Sequence, residues 1–123
     1  MKFLLDTNFI MIPSQFRVDV FEELSEFGKP ELYTIDLVVK ELEKLATRRG
    51  KQASHARMGL ERLKQEGVKM IFSGSSVADA ALLRIAKEKH LIVCTQDRAL
   101  IKRLKSKKIS VVTLRQKRYL VRK

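Results

Sequence analysis

Three aspartates of the sequence stand where a carboxylate can do chemistry. Asp6 and Asp97 each come just after a short apolar run with the composition of a buried strand. Asp79 lies about 60° from Leu82 on a predicted helix, inside its apolar arc. Clustered carboxylates repel one another unless divalent cations lie between them, and hard oxygen ligands select Mg²⁺ or Mn²⁺. Because such ions activate water and position a phosphodiester, the acids predict metal-assisted phosphodiester hydrolysis.

Each of these aspartates also has a purely structural interpretation. An Asp between a strand and a helix is commonly an N-cap, which fits Asp6 and Asp97. Asp79 follows Ser76 by three residues, which is the spacing of a capping box. The spacing alone leaves both interpretations open.

A glutamate on another predicted helix is the fourth candidate acid. Glu41 and Glu43 both lie about 100° from the apolar position Leu42, on opposite flanks of the apolar face. Periodicity does not choose between them. An exposed glutamate paired with a neighbouring lysine is the ordinary alternative for either.

The other reactive residue types exclude several further chemistries. His55 and His90 do not have the spacing of zinc ligands, and the sequence has no glycine-rich phosphate loop. Cys94 is the single cysteine and lies in an apolar run, which favours a packed, inert thiol. We therefore expect neither zinc, nucleotide-dependent nor cysteine chemistry.

The chain is strongly basic. Its 26 Lys and Arg outnumber its 14 Asp and Glu, which gives a net charge of +12. Eleven of the cations, against one acid, lie between Asp97 and Lys123, and Arg48, Arg49 and Lys51 form a further cluster. A small basic domain attracts polyanions, because each phosphate that it neutralises releases counterions. RNA or DNA is therefore the predicted partner, and a merely solvated basic surface is the alternative.

The elements that must position these residues alternate along the chain. Short apolar runs separated by amphipathic stretches are typical of βα units and a parallel sheet, and 123 residues make one domain. The predicted strands are 2–5, 31–35, 68–72, 91–95 and 109–114. The predicted helices begin at a Ser14 cap and end before Gly28, begin at an Asp36 cap, and span about 51–66, 77–89 and 98–107. The residues from Arg115 onward are predicted to be a separable basic tail.

The sheet predicts where the acids meet. In open α/β sheets, ligands bind beyond the carboxyl ends of the strands. If the first and fourth strands are neighbours, the backbones at Asp6 and Asp97 lie about 5 Å apart.

Nothing in the sequence predicts a membrane segment. No stretch reaches the roughly 18 consecutive apolar residues of a membrane span. Asp6 interrupts the N-terminal apolar run before it reaches the length of a signal-peptide core. We expect a cytoplasmic protein without a membrane partner.

Four segments spread over nearly the whole chain carry a family resemblance. They are Leu5–Asn8, Val38–Leu42, Ala78–Leu83 and Thr95–Leu100. In order and spacing they resemble the PIN domain (PilT N-terminus) nucleases. A closer likeness, to small single-domain PIN proteins related to the rRNA-processing PIN nucleases, rests on residues 13–19 and 114–119. The VapC toxins of toxin–antitoxin pairs are a related branch.

The resemblance implies a three-layer α/β/α sandwich around a central five-stranded parallel sheet. It also implies cleavage of RNA by a metal-activated water, with Mg²⁺ or Mn²⁺ as cofactor. It carries the catalytic and metal-binding acids onto Asp6, Glu41, Asp79 and Asp97, with Asn8 and Thr95 as supporting residues, and so prefers Glu41 to Glu43. Ala78 and Ala99 stand where the rRNA-processing branch often has further acids, which implies weak binding of a second metal.

Charge and resemblance together predict the partners. The candidate RNA-binding residues are Arg48, Arg49, Lys51, Arg98, Arg115, Lys117 and Arg118. Beyond RNA, the resemblance implies a homodimer and an antitoxin protein or a ribosomal particle. The alternative function is a non-catalytic RNA-binding or ribosome-assembly protein on a PIN scaffold, which fits the missing acids. The four retained acids argue against that alternative.

Overall fold

The central sheet reverses its strand order part-way across. The computed structural model describes all 123 residues, Met1–Lys123. Its strands are Lys2–Leu5 (β1), Glu31–Ile35 (β2), Lys69–Ile71 (β3), Ile92–Cys94 (β4), Val111–Arg115 (β5) and Tyr119–Arg122 (β6). They lie in the order β3-β2-β1-β4-β5-β6. The chain moves one way across the sheet from β1 and the other way from β4, which opens a crevice beyond the carboxyl ends of these two strands.

Helices cover both faces of the sheet. They are Thr7–Ile10 (α1), Ile12–Phe16 (α2), Val20–Ser25 (α3), Asp36–Ala46 (α4), Lys51–Gln65 (α5), Ala78–Lys89 (α6) and Arg98–Ser106 (α7). Contacts among α1, α2, α4 and α5 make them one layer, whereas α6 packs on β4 and α7 on β5. Right-handed crossovers that run in opposite directions along a sheet place their helices on opposite faces. The predicted three-layer α/β/α sandwich is therefore confirmed. No helix combines the length and the apolar character that a membrane span requires.

One hydrophobic core holds the three layers together. The inner strands are buried almost continuously, as Leu4, Leu5 and Val93 show with 0% exposure each. Burial on both faces explains why these strands are apolar throughout rather than alternating. Leu82 of α6 and Leu100 of α7 are fully buried in the same core.

The sheet has one strand more than predicted, and that strand replaces the predicted tail. β6 pairs antiparallel with β5, with Tyr119 opposite Arg115. In the turn between them, Gln116 and Lys117 both have a φ of 55°. Hairpin turns with positive φ usually carry Gly, Asn or Asp. Because neither residue is of that kind, the local sequence did not indicate a hairpin, and the expectation of a separable tail is wrong.

The predicted helix from Ser14 to about residue 27 is also wrong. Arg17 adopts a left-handed φ of 56° and ends α2. Asp19 then caps α3 by accepting a hydrogen bond from the Glu22 amide at 3.2 Å. The Ser14 hydroxyl bonds to Nδ1 of His55 at 2.6 Å and caps no helix.

Asp36 does not act as the predicted cap of α4. It is the first residue of that helix, and Ile35 occupies the cap position without a side-chain bond. The Asp36 carboxylate instead accepts a hydrogen bond from the Ser73 amide at 2.8 Å, which ties α4 to the segment after β3. The remaining strands and helices agree with their predicted bounds to within two residues.

Leu82 anchors the helix that carries Asp79. Because its side chain is 0% exposed, we expect Leu82→Ala to lower the free energy of unfolding by about 3 kcal/mol, through lost apolar burial and the cavity left behind. The control is Met58→Ala, at an α5 position that is 54% exposed, and it should change that free energy by less than about 0.5 kcal/mol. Equilibrium unfolding in urea measures both. Equal losses would contradict the assignment of Leu82 to the core.

Candidate active site

The parallel pairing of β1 and β4 brings two of the predicted acids to one edge of the sheet. Leu5 lies opposite Cys94. The Asp6 amide extends the ladder by donating to the Cys94 carbonyl at 3.0 Å. The chain therefore leaves both strands side by side, and the neighbour relation that the sequence could only assume is confirmed.

A buried threonine hydroxyl connects the two strand ends. Thr95 is 0% exposed. Its Oγ1 donates to Oδ2 of Asp6 at 2.7 Å and accepts from the Asp97 amide at 3.1 Å. Asn8 contributes Oδ1, which accepts from the Gln96 amide at 2.9 Å. The two predicted supporting residues thus lie between the acids and restrain the backbone that carries them.

Asp6 and Asp97 are helix caps as well as members of the site. Oδ1 of Asp6 accepts from the Thr7 amide at 2.8 Å at the start of α1. Oδ1 of Asp97 accepts from the Leu100 amide at 3.1 Å at the start of α7. The structural and chemical interpretations therefore hold together, because the cap bonds orient the carboxylates that face the cavity.

The capping box proposed for Asp79 does not form. The cap position of α6 is Val77, whose amide donates to the hydroxyl of Ser75 at 3.1 Å, and neither Ser76 nor Asp79 makes a capping bond there. Asp79 lies in the first turn of α6 with its carboxylate directed to the crevice rather than back to the Ser76 amide.

All four predicted acids line one cavity of about 370 Å³ at the crevice, here called the acidic cavity. Asp6 and Asp97 come from the sheet edge, Glu41 from α4 and Asp79 from α6. Glu43 does not line it. The remaining lining residues are Thr7, Asn8, Met11, Leu45, Gln52 and Ala78. The structure therefore shows that Glu41, and not Glu43, faces the cavity, a choice that helical periodicity could not make.

The acidic cavity carries negative charge that no ion pair neutralises. Burial, with the charges of Asp79 and Glu41 added, raises the pKa of Asp6 from 3.8 to about 6, against the lowering effect of its hydrogen bonds to Thr95 and Thr7. Burial and then the charges of Asp97 and Glu41 raise the pKa of Asp79. None of the four acids takes part in an ion pair, since the ion pairs of the chain all use Arg62 or Arg84.

Two residues near the acids were missed by the sequence analysis. Gln52 of α5 lines the acidic cavity. Arg103 of α7 lies close enough to Asp79 for its charge to lower the pKa of that carboxyl. In the sequence, Arg103 is only one cation of a basic stretch. Its nearness to Asp79 depends on how α6 and α7 pack, which the sequence pattern does not show.

The first group of predicted RNA-binding residues lies at the rim of the acidic cavity. Leu45 and Gln52 both line the cavity, so the exposed turn between α4 and α5 borders it. That turn contains Arg48 and Arg49, and Lys51 is the first residue of α5. Arg98 is exposed and directly follows Asp97.

The second group lies farther along the same edge of the sheet. Arg115 ends β5, Lys117 and Arg118 lie in the β5–β6 turn, and none of the three lines the acidic cavity. β5 runs parallel to β4, so its carboxyl end faces the same way. Nζ of Lys117 lies 5.4 Å from the centroid of the Phe16 ring, which holds the turn against α2.

The donor set of the acidic cavity fits a divalent cation by its chemistry. Carboxylates are the ligands that Mg²⁺ and Mn²⁺ prefer, and a cation would offset both the burial and the like charges that raise the pKa of Asp6 and Asp79. No three His, Cys, Asp or Glu side chains of the protein stand close enough together to hold a metal ion as they are. The acids therefore share a cavity without forming a finished ligand cage.

A family model described as a PIN like domain matches residues 3–117. The chain belongs to the PIN domain family. This confirms the resemblance seen in the four sequence segments. The match ends within the β5–β6 turn, before β6 begins.

Relatives of known name share most of the length of this PIN domain. Ribonuclease VapC4 of Methanocaldococcus jannaschii is 30% identical over 124 residues, 96% of this chain and 93% of that protein. Ribonuclease VapC9 of Archaeoglobus fulgidus is 32% identical over 114 residues, 92% of this chain and 82% of that protein. The solved structure of the PIN domain endonuclease Utp24 superposes with a TM-score of 0.80 at 26% identity, and covers 97% of this chain and 88% of that chain.

Removing the charge of Asp6 should stabilise the metal-free PIN domain at neutral pH. The folded chain holds the Asp6 proton up to about pH 6, whereas the unfolded chain releases it near the ordinary pKa of 3.8. The folded state therefore loses stability as the pH rises between these values. In EDTA, we expect Asp6→Asn to raise the free energy of unfolding by about 3 kcal/mol at about pH 7 and by almost nothing at about pH 4. Urea unfolding at both pH values measures the difference.

Asp36→Asn is the control with the opposite sign. Hydrogen bonding to Ser73 holds the pKa of Asp36 below its ordinary value. The ionised Asp36 carboxylate therefore stabilises the fold at pH values above its ordinary pKa. We expect Asp36→Asn to lower the free energy of unfolding at neutral pH. If Asp6→Asn raised the free energy of unfolding by the same amount at both pH values, the result would contradict the electrostatic account of the acidic cavity.

Proposed function

We propose that this PIN domain is a ribonuclease that hydrolyses RNA phosphodiester bonds with Mg²⁺ or Mn²⁺ in the acidic cavity. The observation that carries the proposal is the convergence of Asp6, Glu41, Asp79 and Asp97, none of them ion-paired, in one cavity of a chain with a net charge of +12. The basic surface attracts a polyanion that the acids alone would repel. Two relatives that are named ribonucleases support RNA as the substrate.

Asp6, Asp79 and Asp97 would hold the cation. When bound, it supplies a Lewis acid beside the scissile phosphate. Positive charge at this place would favour the ionised forms of Asp6 and Asp79, whose pKa is raised by burial first and by the neighbouring carboxylates second. Ala78 lines the cavity without offering a ligand, which supports one strong metal position rather than two.

Glu41 would take the proton from the attacking water. It is an exposed residue of α4 that faces the acidic cavity, so its carboxylate reaches both water and substrate. Thr95 and Asn8 are positioning residues in this proposal. Their hydrogen bonds to Asp6 and to the Gln96 and Asp97 amides keep the two strand ends at a constant separation.

The basic residues at the rim would bind the RNA backbone. Arg48, Arg49, Lys51 and Arg98 lie around the acidic cavity, and contacts from such side chains to phosphates position a strand without reading its bases. Arg115, Lys117 and Arg118 would bind phosphates farther along the same edge. The homodimer, the antitoxin protein and the ribosomal particle stay predictions.

Cleavage of RNA with controlled metal content tests the proposed function. We expect purified protein to cut members of a mixed set of labelled RNAs with Mg²⁺ or Mn²⁺ and none of them in EDTA. Asp6→Asn/Asp97→Asn, which removes two ligands, should lower the cleavage rate by at least about 100-fold. RNA binding without any cleavage that responds to this variant, under either metal, would favour the non-catalytic RNA-binding alternative.

The neighbouring glutamates of α4 provide a matched pair. Glu41→Gln should lower the cleavage rate by about 100-fold, because it removes the base from the acidic cavity. Glu43→Gln makes the same chemical change outside the cavity and should leave the rate within about twofold. Both rates are measured under single-turnover conditions, with melting temperatures recorded to show that both variants fold. Equal effects of the two substitutions would refute the role given to Glu41.

A further inference from the structure

A second cavity lies at the opposite end of the sheet, beyond the amino ends of β1 and β4. It has a volume of about 450 Å³, larger than the acidic cavity. Its walls come from the starts of β1 and β4, the ends of α6 and α7, and the end of β6. Five cations line it and no acid does. These cations are Lys2, Lys87, Lys107, Lys108 and Arg122, and we call the space they line the distal basic cavity.

The cations of the distal basic cavity are not neutralised within the chain. None of them belongs to an ion pair. Glu88, the nearby acid of α6, pairs with Arg84 at 3.4 Å. The Arg122 guanidinium donates to the hydroxyl of Ser110, another lining residue, at 3.5 Å. Positive charge is thus held in a concave surface that offers hydroxyl and ammonium donors.

Helix dipoles explain only part of this charge. Cations near a helix C-terminus are favourable, which accounts for Lys87 at the end of α6. Lys2 and Arg122 lie on strands, and Lys108 lies beyond the end of α7 with a left-handed φ of 60°. Convergence of cations from four separate elements is therefore a property of the cavity, not of one helix.

A basic helix connects the two cavities. The N-cap of α7, Asp97, lines the acidic cavity, and its C-cap, Lys107, lines the distal basic cavity. Its nine residues span about 14 Å. Every charged side chain that α7 exposes is a cation, and we call this face the α7 track. Its members are Arg98, Lys102, Arg103 and Lys105.

We propose that the α7 track and the distal basic cavity bind the phosphates of an RNA segment that flanks the cleavage site. The strand would run from the acidic cavity along α7 to the opposite end of the sheet. No Phe, Tyr or Trp lines the distal basic cavity, and His90 is the one aromatic side chain in its lining. The five cations contact phosphates rather than base edges, so we expect binding that is independent of sequence. The statement that this RNA is the substrate rests on the proposed function, whereas the binding itself does not.

RNA is the polyanion that the geometry favours over an acidic polypeptide. The positive surface is continuous with the proposed cleavage site over the whole length of α7. A nucleic acid carries one charge on every unit of its backbone and can follow such a path without interruption. The acidic polypeptide is one outcome of the test.

Binding measured in EDTA tests the distal basic cavity without cleavage. The test variant is Lys87→Gln/Lys107→Gln/Lys108→Gln. The matched control is Lys40→Gln/Lys44→Gln/Lys64→Gln, which removes the same charge from exposed positions of α4 and α5 that line neither cavity. For a single-stranded RNA of about 20 nucleotides, we expect the test variant to bind about tenfold more weakly and its salt slope to fall by about 2, because three phosphate contacts are lost. The control should stay within about twofold of wild type.

Cleavage of short and long RNA then tests the path along α7. The test variant should lower kcat/KM about tenfold for an RNA of about 20 nucleotides, and should not change it for one of about 5 nucleotides, which is too short to leave the acidic cavity. Melting temperatures equal to that of wild type show that the variants fold.

Four outcomes decide the proposal. Unchanged binding and salt slope in the test variant would overturn it, and so would equal losses in the control variant. Displacement of RNA by polyglutamate at equal charge concentration would also overturn it, in favour of an acidic polypeptide. Weakened binding of long RNA by the test variant, in a protein that cuts no RNA with either metal, would support the binding site while refuting the proposed nuclease function.

Discussion

The hydroxyl of Thr95 is the point at which fold and site depend on each other. A buried hydroxyl is costly unless it is hydrogen-bonded, and this one donates to Asp6 and accepts from the Asp97 amide. The bond from the Asp97 amide is local, whereas Asp6 follows a strand that is far away in sequence, so the bond to Asp6 forms only when β1 and β4 pair in register. The hydrogen bonds that satisfy the buried Thr95 hydroxyl, at the point where the strand order reverses, therefore also set the spacing of the Asp6 and Asp97 carboxylates. The caps of α1 and α7, formed by the same aspartates, carry that constraint into the helices.

Around Thr95, the protein places a cluster of negative charges within a surface that is otherwise basic. Burial and like charges raise the pKa of Asp6 and Asp79, so the acidic cavity opposes folding at neutral pH when no cation is present. Most of the remaining surface is basic. Such a chain gains affinity for phosphates over a broad area and concentrates negative charge at one place, an arrangement that favours a divalent cation between the acids and the substrate. Cations lie at both ends of the sheet, and α7 runs between the two groups.

Most elements and the three aspartates could be predicted from strand and helix periods, because these periods are local properties, whereas the choice of Glu41 came from the family resemblance. β1 and β2 have the predicted bounds, and α5, α6 and α7 differ by a residue or so. The failed predictions fall at residues whose backbone conformation is unusual for their residue type. Left-handed φ values at Arg17, Gln116 and Lys117 break a helix and close a hairpin at residues that are not turn formers. These conformations are imposed by the packing of the segments on either side, which no short window of sequence contains.

The sequence by itself determined the repeating βα pattern, the family, the net charge and the position of each acid relative to its own strand or helix. Tertiary structure alone decided which strands are neighbours, and with them which side chains share a space. Glu41 and Glu43 are equivalent on an isolated helix, and only the packing of α4 beside the crevice directs Glu41 into the acidic cavity. Arg122 and Lys2 come from opposite ends of the chain, and only the antiparallel return of β6 brings them to the distal basic cavity. The physical reason is the same in both cases: periodicity defines a face of one element, whereas a site requires faces of several elements to converge.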